Sequence, residues 1–292
     1  MLLSARHLGI AFRMERGRRS VPVRDVSFDV PERGRVALVG ESGCGKSLTA
    51  LSLGGLVDRA EISGEIVGSP RISYVFQNPM QSLNPVMRVG AQIAEALPRG
   101  TSRRRGAARV NELLSAVDLK PETARKYPCE MSGGQQQRAM IAMALAADPD
   151  LLVADEPTTA LDVTTQKEVL DLVSRVADER GMAVLLITHN LGLVARYSSF
   201  VNVMYAGEIV EAGPVRDVLS SPRHPYTRGL LAAVPSLAAP KDAPLSDIPG
   251  TVPPPTDWPQ GCAFHPRCPV ARPECSLPSF SSCPEMSSGR AS

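Results

Sequence analysis

The chain has 292 residues, 43% hydrophobic and 21% charged, with a formal net charge of +2 and only 4% aromatic residues. These values exclude a disordered or fibrous chain. They also argue against a nucleic-acid surface, which would want basic excess or stacking aromatics. The longest apolar run, Ala139–Ala147, is nine residues, whereas a spanning helix needs about 20. The N-terminus shows no apolar core followed by a small-residue cleavage site, so a cytosolic protein is expected.

Residues 1–40 are expected to form short strands: Val26–Val30 alternates, and Val36–Val39 is a buried-type run. A helix is predicted over 46–57 and a strand over Ile72–Phe76. Further helices are predicted over 87–97, 109–118 and 134–147, with Arg99–Arg109 as a solvated loop and helix start. Strands are expected at Leu151–Ala154, Ala183–Thr188, Val201–Tyr205 and Glu208–Glu211, with a helix over 163–179. Alternating strands and helices predict an α/β fold with a mainly parallel sheet. The proline-rich stretch after residue 235 reads as an irregular arm, dividing the chain into 1–234 and 235–292.

Gly40-Glu41-Ser42-Gly43-Cys44-Gly45-Lys46-Ser47 lies between a strand and a helix and matches G-x-x-x-x-G-K-[ST]. Glycines let the backbone wrap a phosphate, and the helix N-terminus adds favourable charge. Lys46 can neutralise outer phosphates, and the Ser47 hydroxyl can bind Mg²⁺. Leu151–Glu156 is an apolar strand ending in two acids. Asp155 can sit beside that Mg²⁺, and Glu156 can polarise an attacking water.

Met131-Ser132-Gly133-Gly134-Gln135 resembles the LSGGQ signature of the ABC ATPases, with Met in place of the usual Leu. The resemblance implies a P-loop NTPase of the ABC nucleotide-binding type: RecA-like core, antiparallel β subdomain and helical subdomain, here with a cysteine-containing C-terminal extension. It implies that ATP and Mg²⁺ are bound, and that Ser132, Gly133, Gly134 and Gln135 close on the ATP of a partner cassette. By the same resemblance Gln77 is the Q-loop residue that contacts Mg²⁺ and water. Asp162 belongs to the D-loop in Ala160-Leu161-Asp162, and His189 is the switch histidine. Phe12 is the aromatic that stacks on adenine, with Phe28 as competitor. Segment 56–71 is shorter than usual, which implies a trimmed antiparallel subdomain.

Three segments look like the ATPases of dipeptide, oligopeptide and nickel importers: residues 77–85, residues 221–231 and the tail starting at Gly261-Cys262. Cys262, Cys268, Cys275 and Cys283 are spaced C-x5-C-x6-C-x7-C, wide for structural zinc. The resemblance implies a [4Fe–4S] cluster, with zinc or free thiols as alternatives; His265 reads as a loop residue, with a substitute ligand as the alternative. It also implies a second, non-identical ATPase, two membrane permeases, an external substrate-binding protein, and a place on the cytoplasmic face of the membrane. Short peptides are the expected cargo and nickel the alternative. Two rival readings are a soluble ABC ATPase acting on nucleic acid or ribosomes and a non-hydrolysing regulatory subunit. Glu156 and His189 are both present and give the latter no support.

Overall fold

The structure is a computed structural model; it describes all residues except 79–81, 160, 235–246, 279, 281–282 and 284–292. Part of segment 77–85, Ala160 of the D-loop and the first half of the proline-rich arm therefore lie outside the described residues. Contacts divide the chain into two compact units. One comprises residues 1–2, 30–35 and 68–187; the other comprises 3–29, 36–67 and 188–292.

In the first unit, strands β5 (Ile72–Val75), β6 (Leu151–Asp155) and β7 (Ala183–Thr188) pair in parallel, in the order β7-β6-β5. Leu151, Leu152, Val153 and Ala154 are all fully buried, as expected of a strand covered on both faces. Helices α2 (Val89–Glu95), α3 (Arg103–Ala116), α4 (Gly133–Leu145) and α5 (Val163–Arg180) belong to the same unit. Their apolar faces share one core, which includes Ile93, Leu113, Leu114, Ile141 and Val173. Met131 joins that core at 8% exposure, so the apolar exchange at the signature is accommodated by packing. The helix expected from 109 begins at Arg103. Gly106, Val110, Leu113 and Leu114 supply its buried face, and Arg109 pairs with Asp148 at 2.6 Å.

In the second unit the strand order is β4-β1-β2-β9-β8-β3. The strands are β1 (Leu3–Arg13), β2 (Arg19–Val30), β3 (Arg35–Val39), β4 (Ala60–Val67), β8 (Phe200–Tyr205) and β9 (Glu208–Pro214). The first two run to 11 and 12 residues, longer than the short strands expected. Segment 56–71, expected to be trimmed, retains β4, which pairs antiparallel with β1 from Ser4–Val67 to Phe12–Ala60. Gly64 explains part of that register: it takes φ +86°, and a Cβ there would meet the His7 carbonyl oxygen at 2.3 Å. Helix α1 (Lys46–Leu53) follows β3 and stops before the expected residue 57. Helices α6 (Leu191–Tyr197), α7 (Val215–Ser220) and α8 (Pro225–Ala232) complete this unit.

The described part of the C-terminal arm has only two short 3₁₀ turns, His265–Arg267 and Pro273–Ser276. It is nevertheless tied down. Trp258 donates its indole N–H to the Val21 carbonyl at 2.7 Å, and the Val21 amide donates to the Pro255 carbonyl at 2.8 Å. Phe264 is 2% exposed and packs on Tyr205 and Tyr226, with ring centroids 5.2 and 5.4 Å away.

A phosphate-loop site and a cysteine module

Between β3 and α1 the chain turns through Gly40, Gly43 and Gly45, with φ of +155°, +83° and +99°. A Cβ on Gly45 would strike the Pro22 carbonyl oxygen at 2.6 Å, so only glycine lets the backbone pass here. Gly45 leads α1 with no side-chain cap, leaving the helix start open to an anion. The buried Lys46 folds its ammonium onto the loop, donating to the carbonyls of Gly40 and Glu41 at 2.8 Å each. Cys44 Sγ lies 3.6 Å from that ammonium, but burial dominates and pushes its thiol pKa up. Ser42 and Ser47 are exposed. Phe12, at the end of β1, is half-buried, whereas Phe28 is a core residue at 4% exposure. That separates the two aromatic candidates. His189, just beyond β7, is exposed.

In the first unit, Asp155 ends β6 half-buried, and Glu156 follows at φ +45°, an uncommon conformation for a residue with a side chain. The Thr159 hydroxyl donates to Glu156 Oε2 at 2.9 Å. Gln77 is exposed just after β5. The signature opens α4 with a capping box. The Gln135 amide donates to Ser132 Oγ, and Gln135 Oε1 receives the Ser132 amide. Gly133 and Gly134 form the first turn, and a Cβ on Gly134 would meet Thr165 Cγ2 at 2.7 Å. Asp162 caps α5 by accepting the amides of Thr164 and Thr165 and the Thr165 hydroxyl. The Thr165 amide leads in holding its carboxyl below the usual range.

The exposed Ser47 hydroxyl and the Asp155 carboxylate are hard oxygen donors, the type Mg²⁺ takes. The four cysteines present soft sulfur donors only. Cys262, Cys268, Cys275 and Cys283 line one small cavity of about 10 Å³, together with His265 and Phe264. That is room for about one water. Among the described residues, no group of three or more His, Cys, Asp or Glu side chains is arranged to hold a metal ion. The expected four-thiolate cage is therefore met in donor type and convergence but not in ligand geometry. Burial leads in raising the Cys262 pKa, and the other three cysteines add to it. His265 donates from Nδ1–H to the Cys262 carbonyl at 2.9 Å.

Two residues with no role assigned from the sequence, Tyr226 and Arg267, meet Glu41 of the phosphate loop. Glu41 gives its amide to the Tyr226 hydroxyl at 2.8 Å. Its carboxylate receives the Arg267 guanidinium in two parallel bonds, Nη1 to Oε2 at 2.6 Å and Nη2 to Oε1 at 3.0 Å. Tyr226 lies in segment 221–231 and Arg267 just before Cys268. The sequence signal was thus present in the importer-like segments, but without a partner to attach it to.

Comparison with known proteins agrees with these features. The family described as "ABC transporter" matches residues 23–159, and that described as "Oligopeptide/dipeptide transporter, C-terminal region" matches residues 210–275. A Brucella ovis protein provisionally named a peptide import ATP-binding protein is 47% identical, over 94% of this chain and 91% of its own. A similarly named Brucella melitensis protein is 43% identical over 95% and 90%. Among solved structures, the dimeric cassette MJ0796 in a post-hydrolysis state with ADP and Pi has a TM-score of 0.65 at 26% identity, covering 74% of this chain and 99% of that one. A Clostridium perfringens cbiO1 structure, part of the transporter complex cbiONQ, shares the fold at 23% identity with a TM-score of 0.66, covering 75% and 91%.

Proposed function

The chain belongs to the ATP-binding subunits of ABC transporters, and we propose that it powers the import of short peptides. The observation that carries the cargo class is the match of residues 210–275 to an oligopeptide/dipeptide transporter region, alongside relatives named for peptide import. Among the described residues no helix is long and apolar enough to cross a membrane. The permeation path then belongs to other subunits: two permeases, fed by an external substrate-binding protein, with this chain on their cytoplasmic face. A second ATPase, a non-identical sister chain, completes the pair.

In this reading, residues 40–47 wrap the phosphates of ATP, with Phe12 against the adenine. Lys46 gives up its bonds to the Gly40 and Glu41 carbonyls to meet the outer phosphates. Ser47, Gln77 and Asp155 would hold Mg²⁺, which when bound would offset phosphate charge. Glu156 takes the proton of the attacking water. His189 steadies the γ-phosphate, and Ser132, Gly133, Gly134 and Gln135 reach the ATP of the partner cassette. Asp162 serves the D-loop between cassettes. Residues 1–234 form the ATPase domain and 235–292 the arm. Cys262, Cys268, Cys275 and Cys283 would supply the thiolates for a [4Fe–4S] cluster, with zinc as the alternative. A bound centre there would cross-link the arm.

The test is ATP turnover by the chain assembled with its permeases and sister ATPase in liposomes. Stimulation by a peptide-loaded binding protein is expected. Stimulation by nickel instead would move the cargo to metal. Stimulation by DNA or ribosomes without permeases would overturn the importer reading.

A further inference from the structure

The guanidinium of Arg267 is bonded on all three of its nitrogens beside the phosphate loop. Besides the two bonds to Glu41, Nε donates to the Pro249 carbonyl at 2.8 Å. Nη2 reaches the carbonyls of Ile248 and Gly250 at 3.1 and 3.2 Å, and Nη1 reaches the Tyr205 hydroxyl at 3.4 Å. The side chain is only 5% exposed, and its partner carboxylate 29%. A buried guanidinium persists only when its donors are met, and here one end of the set is the phosphate loop itself.

Glu41 is thereby held at three points. Its carbonyl takes the Lys46 ammonium, its amide goes to Tyr226, and its carboxylate goes to Arg267. Two of these three anchors come from segments far along the chain. Arg267 sits on the 3₁₀ turn between Cys262 and Cys268, and Phe264 seats that turn between Tyr205 and Tyr226. The fold of the cysteine module therefore sets where the guanidinium stands. Without it, the phosphate loop would carry an unpaired carboxylate, whose negative charge opposes the binding of a triphosphate.

We propose that Arg267 is a positioning residue for the phosphate loop, through which the folded cysteine module and ATP affinity are linked. It holds Glu41 in the phosphate-wrapping conformation and cancels its charge. Linkage is reciprocal, so ATP binding must tighten the module by as much as the module tightens ATP binding. The proposal rests on residues 40–47 being the ATP site.

The experiment titrates MgATP into the full-length chain by calorimetry, comparing wild type, R267M, R267K, E41Q/R267M and K46A. Arg267→Met is expected to weaken ATP about tenfold. Arg267→Lys, which keeps the charge but not the fork, falls between. Removing the stranded carboxylate in E41Q/R267M restores most of the loss. In assembled transporter, R267M raises KM for ATP while kcat at saturation stays near wild type. Unchanged affinity in R267M with K46A still defective overturns the proposal. Unchanged affinity in both overturns the ATP-site assignment, and the proposal with it. A second readout needs no variant: hydrogen exchange of wild type with and without MgATP. Slower exchange at 248–250 and 262–268 supports the linkage; protection confined to 40–47 overturns it.

Discussion

His224 Nδ1 accepts the backbone N–H of Tyr226 at 3.1 Å, capping α8 at the residue whose hydroxyl holds Glu41. The imidazole is 3% exposed, and burial depresses its pKa to about 4. Glu211 opposes that shift and Arg228 adds to it, while the Phe264 ring lies 5.9 Å away. The unfolded chain takes up this proton near pH 6.5, before the folded one does. Stability is therefore complete above pH 6.5 and falls as pH drops toward 4, by at most about 3 kcal/mol. His224→Asn keeps a cap acceptor and removes the titration. Urea unfolding between pH 7.5 and 5 should show a steeper acid loss in wild type than in the variant.

Glu156→Gln keeps the shape at the end of β6 and the contact with Thr159 but removes the proposed base. ATP affinity should stay within about threefold, while turnover in the assembled transporter falls by about 10²-fold or more. Single-turnover hydrolysis with radiolabelled ATP measures both. Turnover at the wild-type level would remove Glu156 from the role of base.

Gly40→Ala would place a Cβ 2.1 Å from the Met204 carbonyl oxygen. That oxygen is backbone and cannot swing away, so the loop must shift. A stability loss of about 1–3 kcal/mol is expected, together with weaker ATP binding. Thermal unfolding and ATP titration on the same sample check it.

Metal analysis of chain purified without oxygen should find about four iron and four sulfide per chain. One zinc would keep the sulfur site and change its occupant. Cys275→Ser, at the most buried of the four positions, should lower the metal content and the thermal midpoint together. A chain with no metal and an unchanged midpoint in that variant would make the quartet ordinary thiols.

Much of the fold was legible in local pattern. The strand at Ala183–Thr188 has the predicted bounds, and the strand–glycine–helix order around Lys46 follows from residues that are neighbours in sequence. Bounds slipped where long-range contacts govern them. Helix α3 starts at Arg103, before the expected residue 109, because Gly106 and Val110 find a core within the stretch read as a solvated loop and helix start. Strand β4 is held by pairing with β1, a partner some 50 residues away that no local spacing announces.

By itself, the sequence determined the chemistry: a phosphate loop, a strand ending in two acids, a signature that caps a helix, and four cysteines in one tail. Each depends on residues close enough in the chain to act through their own backbone. Tertiary structure alone decided which aromatic is core, since Phe28 is sealed and Phe12 is not. It alone joined Arg267 to Glu41, 226 positions apart. A buried ion pair takes its partner from the packing around it, and packing at that separation leaves no periodicity for a sequence to display.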